Sequence, residues 1–204
     1  MGITVDGGVF MWTREILGTD WYHLVAWFIV YSFLGWLVES IYMSFCNRKI
    51  TNRGFMKGPF CPIYGFGALM AYFILRPLEG RHLLLYVTGA VMATVFEFLV
   101  AKAMLKLFGE VWWDYTNKPF NYKGILCLES TLAWGVYTLV LFGFLQNFVV
   151  GIVERVPVRH GMMGIKVILA ICTLDMLYHI LDAKVESFGQ RMDGWMEEIR
   201  ARWF

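Results

Sequence analysis

With 204 residues, 58% of them hydrophobic and 18% aromatic, and a mean hydropathy of +0.55, the chain is too apolar for a soluble domain and reads as a membrane protein. A formal net charge of +2, with 18 Lys and Arg scattered singly or in pairs, leaves no basic block of the kind that grips nucleic acid. The cysteines, Cys46, Cys61, Cys127 and Cys172, show neither C-x-x-C nor metal-ligand spacing, which argues against a disulfide-stapled module and for reduced thiols.

Residues 1–20 lack the basic start, apolar centre and small-residue cleavage site of a signal peptide, and are expected to form a short lead into an interface-lying piece. Beyond them, segments 22–45, 60–76, 82–107, 125–152 and 162–183 reach or approach the roughly 20 apolar residues needed to cross about 30 Å of hydrocarbon. The predicted fold is an all-α integral membrane protein of about five transmembrane helices in a single membrane domain. Its parts are a first helix pair over 22–76, a second over 82–152, a fifth span over 162–183 and an amphipathic tail over 184–204. The second span opens with "GPFCPIYGFG", so its first turns are expected to be irregular, which is tolerated at that depth only against protein or a wet cavity.

Five crossings place the termini on opposite sides. The side shared by connections one and three and the tail, here side B, gathers Arg48, Lys49, Arg53, Lys57, Lys102, Lys106, Lys118, Lys123, Lys184, Arg191, Arg200 and Arg202. The other side has Arg14, Arg76, Arg81, Arg155, Arg159 and Lys166, so the bias makes side B cytoplasmic and the N-terminus external. The tail, with Trp195, Met196 and Phe204 among charges, suits a helix lying on that interface.

Two entrances on side B carry similar phrases, "TNRGFMKGPFC" (51–61) and "TNKPFNYKGILC" (116–127), which share Thr, Asn, a basic residue, Phe and then K-G-x-x-C. The match predicts a parallel internal repeat of two helix pairs, with a site at the interface between halves. Spans two and four start there, and helix N-termini beside Gly58, Gly124, Arg53, Lys57, Lys118 and Lys123 would favour an anion. Ordinary contact of these bases with lipid phosphates is the competing reading.

At about 1.5 Å per residue, Glu39 lies about 9 Å inside side B, Glu97 about 15 Å, Glu129 about 6 Å, Asp175 about 12 Å and His179 about 6 Å. A charge in hydrocarbon costs at least a few kcal/mol, so these groups are expected to face partners, water or a ligand. Either they line an inward-facing polar pocket, or they pair with Arg53, Lys57 and Lys123, or they hydrogen-bond groups such as Ser40, Tyr64 and Ser130. Asp175 and His179, four apart on one helix face, read first as a packing pair. With Cys127 or Cys61 as nucleophile they would form a catalytic set, though no local motif joins them. The E-x-x-H spacing of bundle di-metal sites is absent, so no metal or cofactor is predicted.

Three blocks, "FLGWLVESIY" (33–42), "NRGFMKGPFCPIYGFGAL" (52–69) and "WWDYTNKPFNYKGILCLESTLAWG" (112–135), carry a family likeness. Over roughly residues 22–150 the chain resembles the CmpB-type family of ABC-transporter permeases, also labelled type IV. The resemblance implies a multi-pass protein of the bacterial inner membrane with a permease role. It draws attention to Glu39, Asn52, Arg53, Gly58, Cys61, Tyr64, Asp114, Tyr115, Asn121, Gly124, Cys127 and Glu129, which fall within the shared motifs. The chain has no G-x-x-x-x-G-K-[ST] phosphate loop, so ABC function implies a separate ATPase subunit, with a homodimer or another membrane partner to dock it.

Two functions follow. In the first, a permease moves a small polar or charged solute, with a polar or anionic ligand expected, past Glu39, Glu97 and Glu129, with Arg53, Lys57 and Lys123 at the mouth. In the second, a membrane-embedded enzyme or binding protein holds a lipid head group or lipid-linked phosphate in the cytoplasmic leaflet.

Overall fold

The structure is a computed structural model that describes residues 11–52 and 56–203, and beyond Asp182 chiefly the backbone. Residues 1–10 of the N-terminal lead, and Arg53 of the first basic phrase, lie outside the described residues. The lead ends in a tight hairpin, β1 (Glu15–Ile16) against β2 (Thr19–Asp20), with Glu15 opposite Asp20. Leu17 and Gly18 turn it with φ of 54° and 78°, the left-handed pair that matches strand twist.

Asp20 then caps α1 (Trp21–Asn47), accepting from the His23 amide at 2.9 Å. The remaining helices are α2 (Pro62–Leu75), α3 (His82–Phe108), α4 (Leu128–Glu154) and α5 (Val158–Trp203). Four of them are long and apolar enough to cross a membrane, and α2 with its 3₁₀ extension to Leu78 is a shorter apolar helix. The chain is an all-α membrane protein.

Its second helix differs from expectation. Pro62 occupies the first turn, where a missing N–H costs nothing, and α2 is regular from there, so the irregular backbone is confined to the approach before it. Gly65 is needed for packing, since a Cβ there would run into Ser32 and Phe28 of α1. The backbone of α5 continues without a break for 46 residues, about 69 Å, through the stretch expected to be a separate tail. Most side chains of that tail lie outside the described residues.

Helices α1 and α2 form one antiparallel hairpin and α3 and α4 another, each drawn together by small residues. A Cβ on Gly35 would overlap the Tyr64 ring, one on Gly89 the Thr138 side chain, and one on Gly135 the Tyr86 ring. The hairpins meet chiefly at one end, where α1 packs on Gln146–Glu154 of α4. Tyr22, Trp27, Leu75, Leu85, Val149, Val153 and Met162 make a continuous core there, on the side opposite side B. A single turn of π-helix, Leu141–Leu145, interrupts α4, and the Gln146 amide reaches back to the Leu141 carbonyl. The wider turn keeps Thr138, Leu141, Gln146, Val149 and Val153 buried in one row despite the five-residue step from 141 to 146.

Candidate functional site

Away from that core the hairpins part around a cavity of about 310 Å³. Its walls are mostly aliphatic and aromatic, with Tyr31, Leu141 and Leu145 toward the core and Tyr64, Glu97, Trp134 and Tyr137 toward side B. The sequence predicts a polar pocket here. The cavity instead concentrates its polarity at one end, around Glu97, while much of the remaining lining is Leu, Ala, Met and Phe.

Glu97 on α3 is only 4% exposed and, among the described residues, is the single acidic or basic side chain on the wall. Three neutral donors hold it: Tyr115 Oη donates to Oε1 at 3.1 Å, and Trp134 Nε1 and Ser130 Oγ donate to Oε2 at 3.0 and 3.4 Å. Ser130 and Trp134 lie four apart on α4, so one helix face presents both. Tyr115 reaches in from the α3–α4 connection, and burial followed by the nearby Glu97 charge raises its phenol above the ordinary tyrosine range. Glu39 on α1 lies within hydrogen-bonding reach of Tyr64 and within electrostatic reach of Glu97, Tyr115 and Tyr137. Trp134 bridges two rings, with centroids 6.0 Å from Tyr64 and 5.6 Å from Tyr137.

The other residues singled out from sequence go elsewhere. Glu129 is exposed at the start of α4 and pairs with Lys118 at 2.8 Å, which raises the lysine above its ordinary value, the hydrogen bond to Glu129 being the main cause. Lys57 lies over the Tyr178 ring of α5 at 4.7 Å and Lys123 over Tyr122 at 5.6 Å, so neither guards the cavity mouth. Asn52 accepts from Trp36 Nε1 at 2.6 Å and donates to the Lys57 carbonyl at 2.9 Å, closing its own loop. Asp114 accepts from the Thr116 hydroxyl and, at 2.8 Å, from the Thr116 amide, bonds that lower its carboxyl below the usual range. Asn121 donates to the carbonyls of Thr116 and Lys118, at 3.0 and 2.9 Å.

The two similar phrases build different entrances. Gly58 gives its N–H to Asp175 Oδ2 at 3.0 Å, so the amide expected to meet an external anion binds an anion of the chain itself. Gly124 has φ of +70° and a Cβ there would crowd Thr116 and Asp114. Cys61 and Cys127 are both buried N-caps, yet only Cys127 takes part in a capping box, its Sγ accepting from the Ser130 amide at 3.3 Å. That box already occupies N–H groups at the start of α4. Asp175 and His179 are 3.5 Å apart beside the Gly58 loop, whereas Cys127 is engaged with Ser130.

The family model described as "Putative ABC-transporter type IV" matches residues 26–180, which takes in both hairpins and most of the span-like part of α5. The chain belongs to this family. No curated protein and no solved structure matches it. As a member of the ABC-transporter type IV family with helices of membrane-crossing length, it is a multi-pass membrane protein and a transporter component. Trp134 and Tyr137 were not legible as site residues in the sequence. Their only signal is that, with Ser130, they recur at spacings of four and three along one face of α4.

Proposed function

We propose that this family member is the membrane subunit of a transporter and binds a small charged solute in the cavity between its hairpins, with the solute's charged group at the Glu97 end. The supporting observation is the parting of the hairpins around that cavity while their opposite ends share one core. With side B cytoplasmic, on the Lys and Arg bias, this is an inward-facing arrangement, and transport consists of rocking hairpin 22–76 against hairpin 82–152. The chain has no phosphate loop, so a separate ATPase subunit would drive the motion.

Thiol accessibility tests the reading. Cysteines placed at Ala68, Met92 or Phe144, all on the cavity wall, are exposed to a charged, impermeant thiol reagent in native membrane vesicles of each orientation. The expected result is labelling above the wild-type background from side B at rest and from the opposite side when ATP is supplied. Labelling from side B alone, unchanged by ATP, would mean a binding pocket and not a carrier.

A further inference from the structure

Among the described residues, the cavity wall combines one buried carboxylate with aromatic faces and contains no Lys, Arg or His. Glu97 accepts from three neutral donors, and among the described residues no cation lies within salt-bridge distance of it. A carboxylate offers about four acceptor positions, so these donors leave room for one more on Oε1. Neutral hydrogen bonds disperse a negative charge but do not cancel it. Around this end stand Tyr64, Trp134 and Tyr137, whose ring faces attract cations when water is excluded. The rest of the space, from Leu34 and Val38 to Phe144, is lined mostly by aliphatic and aromatic side chains and suits an apolar group. Outside the cavity, the Gly58 amide is taken by Asp175, and the Cys127 and Ser130 amides at the α4 N-terminus by their own capping box, which removes donors that an anion would use.

We infer that the cavity takes an organic monocation, an amine or quaternary ammonium group on an apolar body, with the cationic head between Glu97 and the Trp134–Tyr137–Tyr64 rings. This rests on the cavity being the solute site, and it narrows the solute to one charge and one shape. The head group would neutralise Glu97 and the apolar body would run toward Leu141 and Tyr31.

Phenyltrimethylammonium, its neutral isostere tert-butylbenzene and the anion benzenesulfonate serve as probes on the purified full chain in nanodiscs. The expected result is saturable binding of radiolabelled phenyltrimethylammonium that a tenfold excess of benzenesulfonate or tert-butylbenzene does not displace. Glu97→Gln, which keeps an acceptor for Trp134, should weaken binding at least tenfold, and Tyr137→Leu, which leaves the Glu97 hydrogen bonds alone, about three- to thirty-fold. Ala93→Phe fills the cavity from α3 without touching either group and should abolish binding. Size-exclusion profiles and circular dichroism identify any variant that fails to fold, and Ala93→Phe and Tyr137→Leu stand independently of Glu97→Gln. Displacement by benzenesulfonate, or wild-type affinity in Glu97→Gln while Ala93→Phe still blocks, would overturn the cation and leave the cavity as a pocket. Absence of binding, or binding that Ala93→Phe does not affect, would also overturn it. Cation binding together with thiol labelling confined to side B would sustain this inference and remove the transport reading.

Discussion

Tyr31 donates its hydroxyl to Gln146 Oε1 across the boundary between the two hairpins, and both side chains are buried, with Tyr31 on the cavity wall. Removing one partner of such a pair strands the other in a low-dielectric site, at a cost of about 1–3 kcal/mol, whereas removing both costs less than the sum. Tyr31→Phe should therefore lower stability by about that amount in denaturant titrations of the detergent-solubilised protein. Adding Gln146→Leu should recover part of the loss, and additive losses would mean that the pair is not coupled. At the surface, Asp114 follows a different logic. Its carboxyl is depressed in the folded chain by the Thr116 hydroxyl and amide, so the unfolded chain binds more protons and the loop gains stability as pH rises. That contribution is fully present above the ordinary aspartate value of 3.8 and is lost as pH falls through the lower folded value. The protection factor of the Thr116 amide against hydrogen exchange should drop in that acid window in the wild type, and Asp114→Asn should remove the pH dependence.

The π-turn of α4 carries the second scale of argument. A turn of this kind accommodates one residue more than an α-helix would, and here it keeps the row Thr138, Leu141, Gln146 in register with Val149 and Val153. Deleting Gly143, whose surroundings are open, should convert the turn to ordinary helix with Gln146 still on the buried face. Stability is expected to change by only about 1 kcal/mol, while binding in the cavity suffers because Phe144 and Leu145 leave its wall. Deleting Ile152, in the regular helix beyond, displaces Val153 from the core and should cost about 2–5 kcal/mol. Equal losses in the two variants would rule out the turn as a stored insertion. The helices themselves were legible in the sequence because long apolar runs dictate spans, and Glu97 could be placed at depth by counting residues. The π-turn was not, since one extra residue leaves the composition of "VLFGFLQN" unremarkable. Nor were the entrances: the fate of Gly58 depends on Asp175, 117 positions away, and that of Gly124 on Asp114 and Thr116. Similar phrases therefore fold against different partners, and the predicted anion site dissolves into internal hydrogen bonds.

For the whole molecule, the end of the bundle opposite side B is its main hydrophobic core, and it is the end that the proposed transport cycle would have to open. Opening an aqueous path there means separating Tyr22, Trp27, Leu75, Leu85, Val149 and Val153, each buried to within a few per cent of its surface. At about 1.5–3 kcal/mol for a large apolar side chain moved to water, that opening costs on the order of 10 kcal/mol. A state at that height is populated about once in ten million molecules, too rarely for spontaneous turnover. Closing the Glu97 end would offset part of this. The arrangement therefore predicts that the isolated chain stays open toward side B whatever the solute, and that outward access needs work from a bound partner. In liposomes containing this protein alone, a cysteine at Met92 should react with an impermeant reagent from side B only, with ATP making no difference. On the proposed reading, an ATPase subunit should co-purify from native membranes, and reconstitution with it should add ATP-dependent labelling from the opposite side. Spontaneous labelling from both sides in the isolated chain would show that the core separates far more cheaply than its burial implies, and the partner would then be dispensable.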